Sequence, residues 1–147
     1  MKFIYGLSKN GISIAENLII NDQKFSCWDD NSKVRSSIKK KISNINLVSP
    51  NKANFNEYET IYVSPGISVK QKIFNKLQNV QLARDLNLYY SRINKEKIVA
   101  ITGTNGKSTT TKLIGNMLKN NHFPIFVGGN LGPPLLNAFK IKKKLSY

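Results

Sequence analysis

An α/β fold in two parts is what this sequence predicts, and three observations predict it. Short apolar runs recur at Lys2–Tyr5, Lys24–Trp28 and Thr60–Val63, and Gly, Asp or Ser-Pro-Gly ends each one. Between the first two runs, Ile12, Ala15, Leu18 and Ile19 fall at helical spacing. Beyond residue 97 the order of strand, glycine loop and helix starts afresh in KIVAITGTNGKSTTTKLIGNMLKN. Strands that alternate with helices read as βαβ units on a parallel sheet. The expectation is therefore a Rossmann-like N-terminal domain, followed by the truncated start of a P-loop ATPase α/β domain.

In chain order, Lys2–Tyr5 is the first strand and runs into Gly6-Leu7-Ser8-Lys9-Asn10-Gly11. The dinucleotide fingerprint G-x-G-x-x-G has its outer glycines here, but Ser8 replaces the middle one. A side chain there holds a pyrophosphate further from the backbone than in a dehydrogenase. The second strand ends at Asp29, where an acidic residue would meet a ribose or base. Taken alone, this pattern also fits a tight strand-to-helix turn with Asp29 as a solvated strand end. Asn31 to Asn56 is polar and lysine-rich, with Ile45–Val48 as a candidate third strand. Thr60–Val63 leads into Ser64-Pro65-Gly66-Ile67, which reads as a turn. A helix is expected over Val69–Gln78, and a short strand running into a helix over Leu82–Arg92. The boundary falls just before the next strand, giving domains 1–93 and 94–147. His122–Val127 reads as a further strand, Gly128–Gly132 as a glycine-rich turn, and Leu135–Ile141 as the start of a helix.

Residues 102–109 read Thr-Gly-Thr-Asn-Gly-Lys-Ser-Thr. Small residues between a strand and a helix let backbone N–H groups turn inward, and the helix N-terminus adds partial positive charge. Lys107 can set a point charge on terminal phosphates, and the Ser108 hydroxyl can complete a magnesium shell. The strict pattern G-x-x-x-x-G-K-[ST] is not met, because Ile101 stands at its first glycine. The competing reading is a chance Gly-Lys-Ser at a helix start, where Ser and Thr are favoured as caps.

TGTNGKST resembles the ATP loop of the Mur ligases, the cytoplasmic enzymes that add amino acids to UDP-N-acetylmuramic acid in peptidoglycan synthesis. The segment Val127-Gly128-Gly129-Asn130-Leu131-Gly132-Pro133-Pro134-Leu135 is similar to the stretch that follows that loop, and the GKST form is closest to the D-glutamate-adding members. The resemblance implies that the substrates are ATP, UDP-N-acetylmuramoyl-L-alanine and D-glutamate, joined through an acyl phosphate with Mg2+ present. It assigns ATP to Gly103, Thr104, Asn105, Gly106, Lys107, Ser108 and Thr109, with Lys107 catalytic and Ser108 on the metal. It places the diphosphate side of the UDP group at Leu7 and Ser8, the uracil at Asp29, the border of that site at Ser64, Pro65 and Gly66, and the reacting end of the substrate at Asn130. The chain departs from the family at Asn87, where an acidic residue is usual two positions after Asp85.

The formal charge of +15 would ordinarily suggest nucleic acid or an anionic membrane. Lysine supplies 20 of the 23 basic residues and is scattered, and Asn and Ile are also frequent, which is the bias of an AT-rich coding sequence. The expectation is no nucleic acid and no membrane insertion. A single cysteine, Cys27, excludes an internal disulfide and reads as a buried structural thiol. His122 falls between a helix and a strand, in a turn. No carboxylate follows Glu96, so the metal ligands of the family cannot all come from this stretch. The chain is expected to be the front part of a longer, cytoplasmic, monomeric ligase, and inactive by itself. A nucleotide- or UDP-sugar-binding module without turnover, or another Mur or folylpolyglutamate-type ligase, remains the alternative.

Overall fold

The computed structural model describes residues 1–70, 72–74, 77, 80–94, 97–130 and 132–140. They fall into two compact units, Met1–Ser91 and Arg92–Tyr147.

The first unit is built on four parallel strands, β1 (Lys2–Tyr5), β2 (Phe25–Trp28), β3 (Thr60–Val63) and β4 (Gln81–Ala83), in the spatial order β2-β1-β3-β4. Helices α1 (Lys9–Ile20), α2 (Ser32–Lys41) and α3 (Asp85–Tyr90) follow β1, β2 and β4. The apolar run of β1 is continuous because the strand is central and covered on both faces. Tyr5 lies in register with Trp28 on one side and Val63 on the other. One face gathers Phe3, Tyr5, Ile61 and Val63 with Tyr58 and Phe74. There the Phe3 ring meets Phe55 and Tyr58 edge-on, at centroid distances of 5.3 and 5.1 Å. That geometry suits the ring quadrupoles. Ile4 alternates to the other face, where α1 buries Ile14, Ala15 and Leu18.

The structure departs from the sequence reading in the lysine-rich stretch. A full helix, α2, stands where only polarity was legible, and Ile38 is its one buried residue. The Asn31 side chain caps it by accepting from the Lys33 amide, and three lysines complement the dipole at its C-terminal end. Ile45–Val48 is not a strand. It makes a single parallel bridge, Leu47 to Cys27, with Cys27 N–H donating to Asn46 O and Val48 N–H to Cys27 O. Of the helix expected over Val69–Gln78, a 3-10 turn at Lys72–Phe74 is present, while residues 71, 75, 76, 78 and 79 lie outside the described set.

In the second unit α4 spans Lys107–Asn120 and a 3-10 turn spans Leu135–Asn137. Its packing includes a close approach of α4 to Val127, since a Cβ on Gly115 would lie 2.8 Å from a Val127 methyl. Neither Lys97–Ile101 nor His122–Val127 forms a strand among the described residues, which corrects the strands expected there. A strand exists through its ladder. Ile98 and Val99 are instead more than half exposed. The helix after the loop is therefore formed, and the sheet expected in front of it is not present among the described residues.

Candidate functional site

In the first unit β1 continues to a partner on one flank and β3 to a partner on the other. Their C-terminal ends therefore open a crevice at a topological switch point, the place where parallel α/β sheets hold ligands. Gly6 leaves β1 at φ +93°, and its N–H donates to Trp28 O at 2.8 Å. Ser64 closes the other wall: its N–H donates to Tyr5 O at 2.9 Å and its buried hydroxyl to Gly6 O at 2.8 Å. Ser8 Oγ lies 3.3 Å from Ser64 Oγ. A Cβ on Gly11 would sit 1.9 Å from Gly6 O, so α1 crosses the loop at a distance only glycine permits. Both outer glycines of the fingerprint thus have a steric reason.

Asp29 ties this loop to β2. One carboxylate oxygen accepts from Leu7 N–H at 2.7 Å and the other from Asn31 N–H at 2.9 Å. Each oxygen keeps a lone pair for a ligand. Leu7 commits its amide to Asp29 and buries its side chain, which leaves the Ser8 hydroxyl and the first-turn amides of α1 as the polar groups at this end of the loop. Pro65 and Gly66 are exposed on the rim, in a turn closed by Ile67 N–H on Ser64 O at 2.9 Å. Leu7, Ser8, Asp29 and Ser64 come together from three separate stretches of chain.

Sequence reasoning missed several residues around them. Asn10 Nδ2 donates to Asp85 at 2.9 Å, linking the N-termini of α1 and α3. Asn87 caps α3 by accepting from Arg84 N–H at 2.8 Å, so the departure from an acidic residue has a local structural use. Beside the crevice, Tyr5 Oη donates to Asp30 at 3.0 Å and Trp28 Nε1 to the same carboxylate at 3.2 Å. Burial, then the hydrogen bond and charge of Asp30, then the charge of Asp29, push the Tyr5 hydroxyl up to about 12. Arg35 lies over the Trp28 ring, 4.2 Å from its centroid. A cavity of about 420 Å³ opens among Tyr5, Trp28, Asp30, Arg35, Asn51 and Ile73. An aromatic followed by two adjacent aspartates was the only sequence signal for this cluster. Cys27 is buried, and burial raises its thiol to about 12, as expected of a structural cysteine.

In the second unit the loop turns through Gly103 at φ +144° and Gly106 at φ +75° into the first turn of α4. Thr104 and Asn105 are exposed at its tip. The Lys107 ammonium bends back and donates to Gly103 O and, at 3.0 Å, to Thr104 O. Ser108 and Thr109 follow in the first turn, and Thr111 Oγ1 donates to Lys107 O at 2.7 Å. Two neutral carbonyls thus hold the Lys107 ammonium beside the N-terminus of α4. Phosphate oxygens are stronger acceptors than those carbonyls. Asn130 is exposed in a bend next to Gly129, whose N–H donates to Pro133 O at 2.9 Å. Among the described residues no group of three or more His, Cys, Asp or Glu could hold a metal ion, and no helix is long and apolar enough to cross a membrane.

A four-stranded parallel sheet with a switch point between β1 and β3 defines the class: an α/β protein with a Rossmann-like unit. No family model matches the chain. Individual proteins do. The UDP-N-acetylmuramoylalanine–D-glutamate ligase of Wolbachia sp. subsp. Brugia malayi is 35% identical over 144 residues, covering 93% of this chain and 29% of that protein. Its counterpart in Wolbachia pipientis wMel is 32% identical over 91% of this chain and 27% of its own length, and that of Rickettsia prowazekii 34% over 92% and 31%. The chain belongs to the Mur ligase family, among relatives named as D-glutamate ligases. It spans less than a third of the length of these relatives.

Proposed function

We propose that this chain supplies two substrate-holding parts of a ligase that joins D-glutamate to UDP-N-acetylmuramoyl-L-alanine with consumption of ATP in peptidoglycan synthesis. The observation that carries this reading is the convergence of Ser8, Asp29 and Ser64 on one crevice, in a chain whose relatives bear that name. The UDP group lies across the switch point. Its diphosphate faces Ser8 and the α1 N-terminus, while Asp29 presents an acceptor to the uracil N–H, and Ser64, Pro65 and Gly66 form the border. The loop at Gly103–Thr109 receives the ATP phosphates, with Asn130 toward the acceptor substrate.

The residues fit ATP. Backbone amides and Lys107 neutralise negative charge without chemistry of their own, which is the need of phosphoryl transfer. Lys107 exchanges its two carbonyl partners for phosphate oxygens, and bound ATP then supplies the phosphoryl group that activates the acceptor carboxylate. For Mg2+ the fit is partial. Ser108 offers one hydroxyl, and no carboxylate follows Glu96 to join it. These residues therefore support binding of UDP-sugar and ATP as their part in the ligase reaction. We place that ligase in the cytoplasm, as a monomer.

Calorimetric titration of the 147-residue chain with UDP-N-acetylmuramoyl-L-alanine and with ATP tests this. Saturable binding of both is expected, with Lys107→Ala removing at least tenfold of the ATP affinity, the scale of one charged hydrogen-bond set, and leaving the UDP-sugar affinity unchanged. In a ligase of full length the same substitution is expected to cost several orders of magnitude in rate. No binding of the UDP-sugar would overturn the reading.

A further inference from the structure

The turn that carries Asp29 is held from outside the crevice by a residue that does not border it. Arg35 stands one turn into α2, and its Nη1 donates to both Asp29 O, at 2.6 Å, and Asp30 O, at 2.9 Å. Its guanidinium is itself fixed, stacked over Trp28. The Asp30 carboxylate is anchored by Tyr5 Oη and Trp28 Nε1. Two successive peptide planes are thus clamped on their carbonyl side while the Asp29 side chain is drawn the other way, onto Leu7 N–H and Asn31 N–H. Without the guanidinium both carbonyls lose a charged donor, and the plane between Asp29 and Asp30 is free to rotate, taking the carboxylate off its aim.

We infer that Arg35 is a positioning residue for base recognition: through the Asp29 turn it sets the selectivity of the crevice for a nucleobase that presents an N–H donor. The inference rests on the reading of the crevice as the UDP site. Uracil offers N3–H to a carboxylate, whereas cytosine offers a lone pair at N3 and is repelled by it. Selectivity between the two therefore reads the aim of Asp29, while total affinity also reads the diphosphate contacts at Ser8 and α1.

The experiment measures UDP and CDP affinities by calorimetry on the full chain, for wild type, Arg35→Gln, Arg35→Lys, Asp29→Asn and the Arg35→Gln/Asp29→Asn pair, with thermal midpoints alongside. Wild type is expected to favour UDP. Arg35→Gln should lower the UDP-to-CDP ratio roughly tenfold, the scale of a lost hydrogen bond to a charged group, and Arg35→Lys should restore part of it. Adding Arg35→Gln to Asp29→Asn should change the ratio no further, because both act through one carboxylate. A ratio unchanged in Arg35→Gln would overturn the inference. So would equal losses of UDP and CDP that track the thermal midpoint, or additive losses in the pair. Failure of wild type to bind UDP would instead overturn the site reading, and this inference with it.

Discussion

Replacing Gly11 by alanine sets two effects of known size against each other. Alanine is the better helix former by about 1 kcal/mol, so propensity alone predicts a more stable protein. The added Cβ, however, would lie 1.9 Å from Gly6 O and 2.9 Å from Gly6 C. An ordinary carbon–oxygen contact is roughly 3.3 Å, so α1 must retreat by more than an ångström or the loop must deform. Neither is free to do so, since Gly6 is fixed by Ser64 and Trp28 and α1 by Ile14, Ala15 and Leu18 in the core. Steric displacement of backbone by a clash this close costs about 3 kcal/mol, the upper end of the usual range for overpacking. The net loss is then about 2 kcal/mol, a large share of the roughly 5–15 kcal/mol that holds a domain together. Urea unfolding followed by Trp28, the only tryptophan and part of this unit, should show a midpoint lowered by roughly 1 M or more. Gly66→Ala is the control: nothing lies within 4 Å of its Cβ, and a change within about 0.5 kcal/mol is expected. A Gly11→Ala protein as stable as wild type, or more so, would refute the close crossing of α1 over the loop.

Ser64→Ala removes the buried hydroxyl that donates to Gly6 O and should cost about 1–2 kcal/mol, together with UDP affinity; equal stability in a melting experiment would count against that bond. Ser13→Ala should be neutral or stabilising in the same assay, because Ser13 Oγ is buried without a partner; a loss above 1 kcal/mol would show that it has one. Stability should fall as pH rises from about 9 toward 12. The hydroxyl of Tyr5 titrates at about 12 in the folded chain against 10.0, and the thiol of Cys27 at about 12 against 9.0. The unfolded chain therefore releases these protons first, and the stabilisation present below pH 9 is lost through that window. Urea midpoints at pH 8.5, 10 and 11 measure it, Tyr5→Phe should flatten the upper part, and a pH-independent midpoint would contradict the assigned burial.

The central strands were legible because β1 and β3 are covered on both faces, which demands an unbroken apolar run, and their ends demand Gly6 or Ser64-Pro65-Gly66. The glycine turn before α4 was legible for a similar reason: Gly103 and Gly106 sit at positive φ, and the helix starts at Lys107 directly after them. Local chemistry and local geometry are the same information in these stretches, so the sequence by itself determined them. Helix α2 was hidden, because Val34 and Ile38 are its only apolar residues and Ile38 alone is buried, too few positions to establish a period.

Tertiary structure alone decided the rest. Whether Ile45–Val48 pairs along its length or at one bridge depends on how closely Cys27 approaches it, and no residue in the run encodes that distance. The strands read at Lys97–Ile101 and His122–Val127 failed for the same reason, since a strand is a property of two chain segments and neither has a ladder partner among the described residues. The joining of Leu7 to Asp29, of Ser64 to Gly6 and of Arg35 to the Asp29 turn spans intervals from 6 to 58 residues. Sequence names the donors and acceptors; only the pairing of β1 with both β2 and β3, and the turn from β2 into α2, brings them within 3 Å, because a hydrogen bond is decided by distance and angle rather than by residue type.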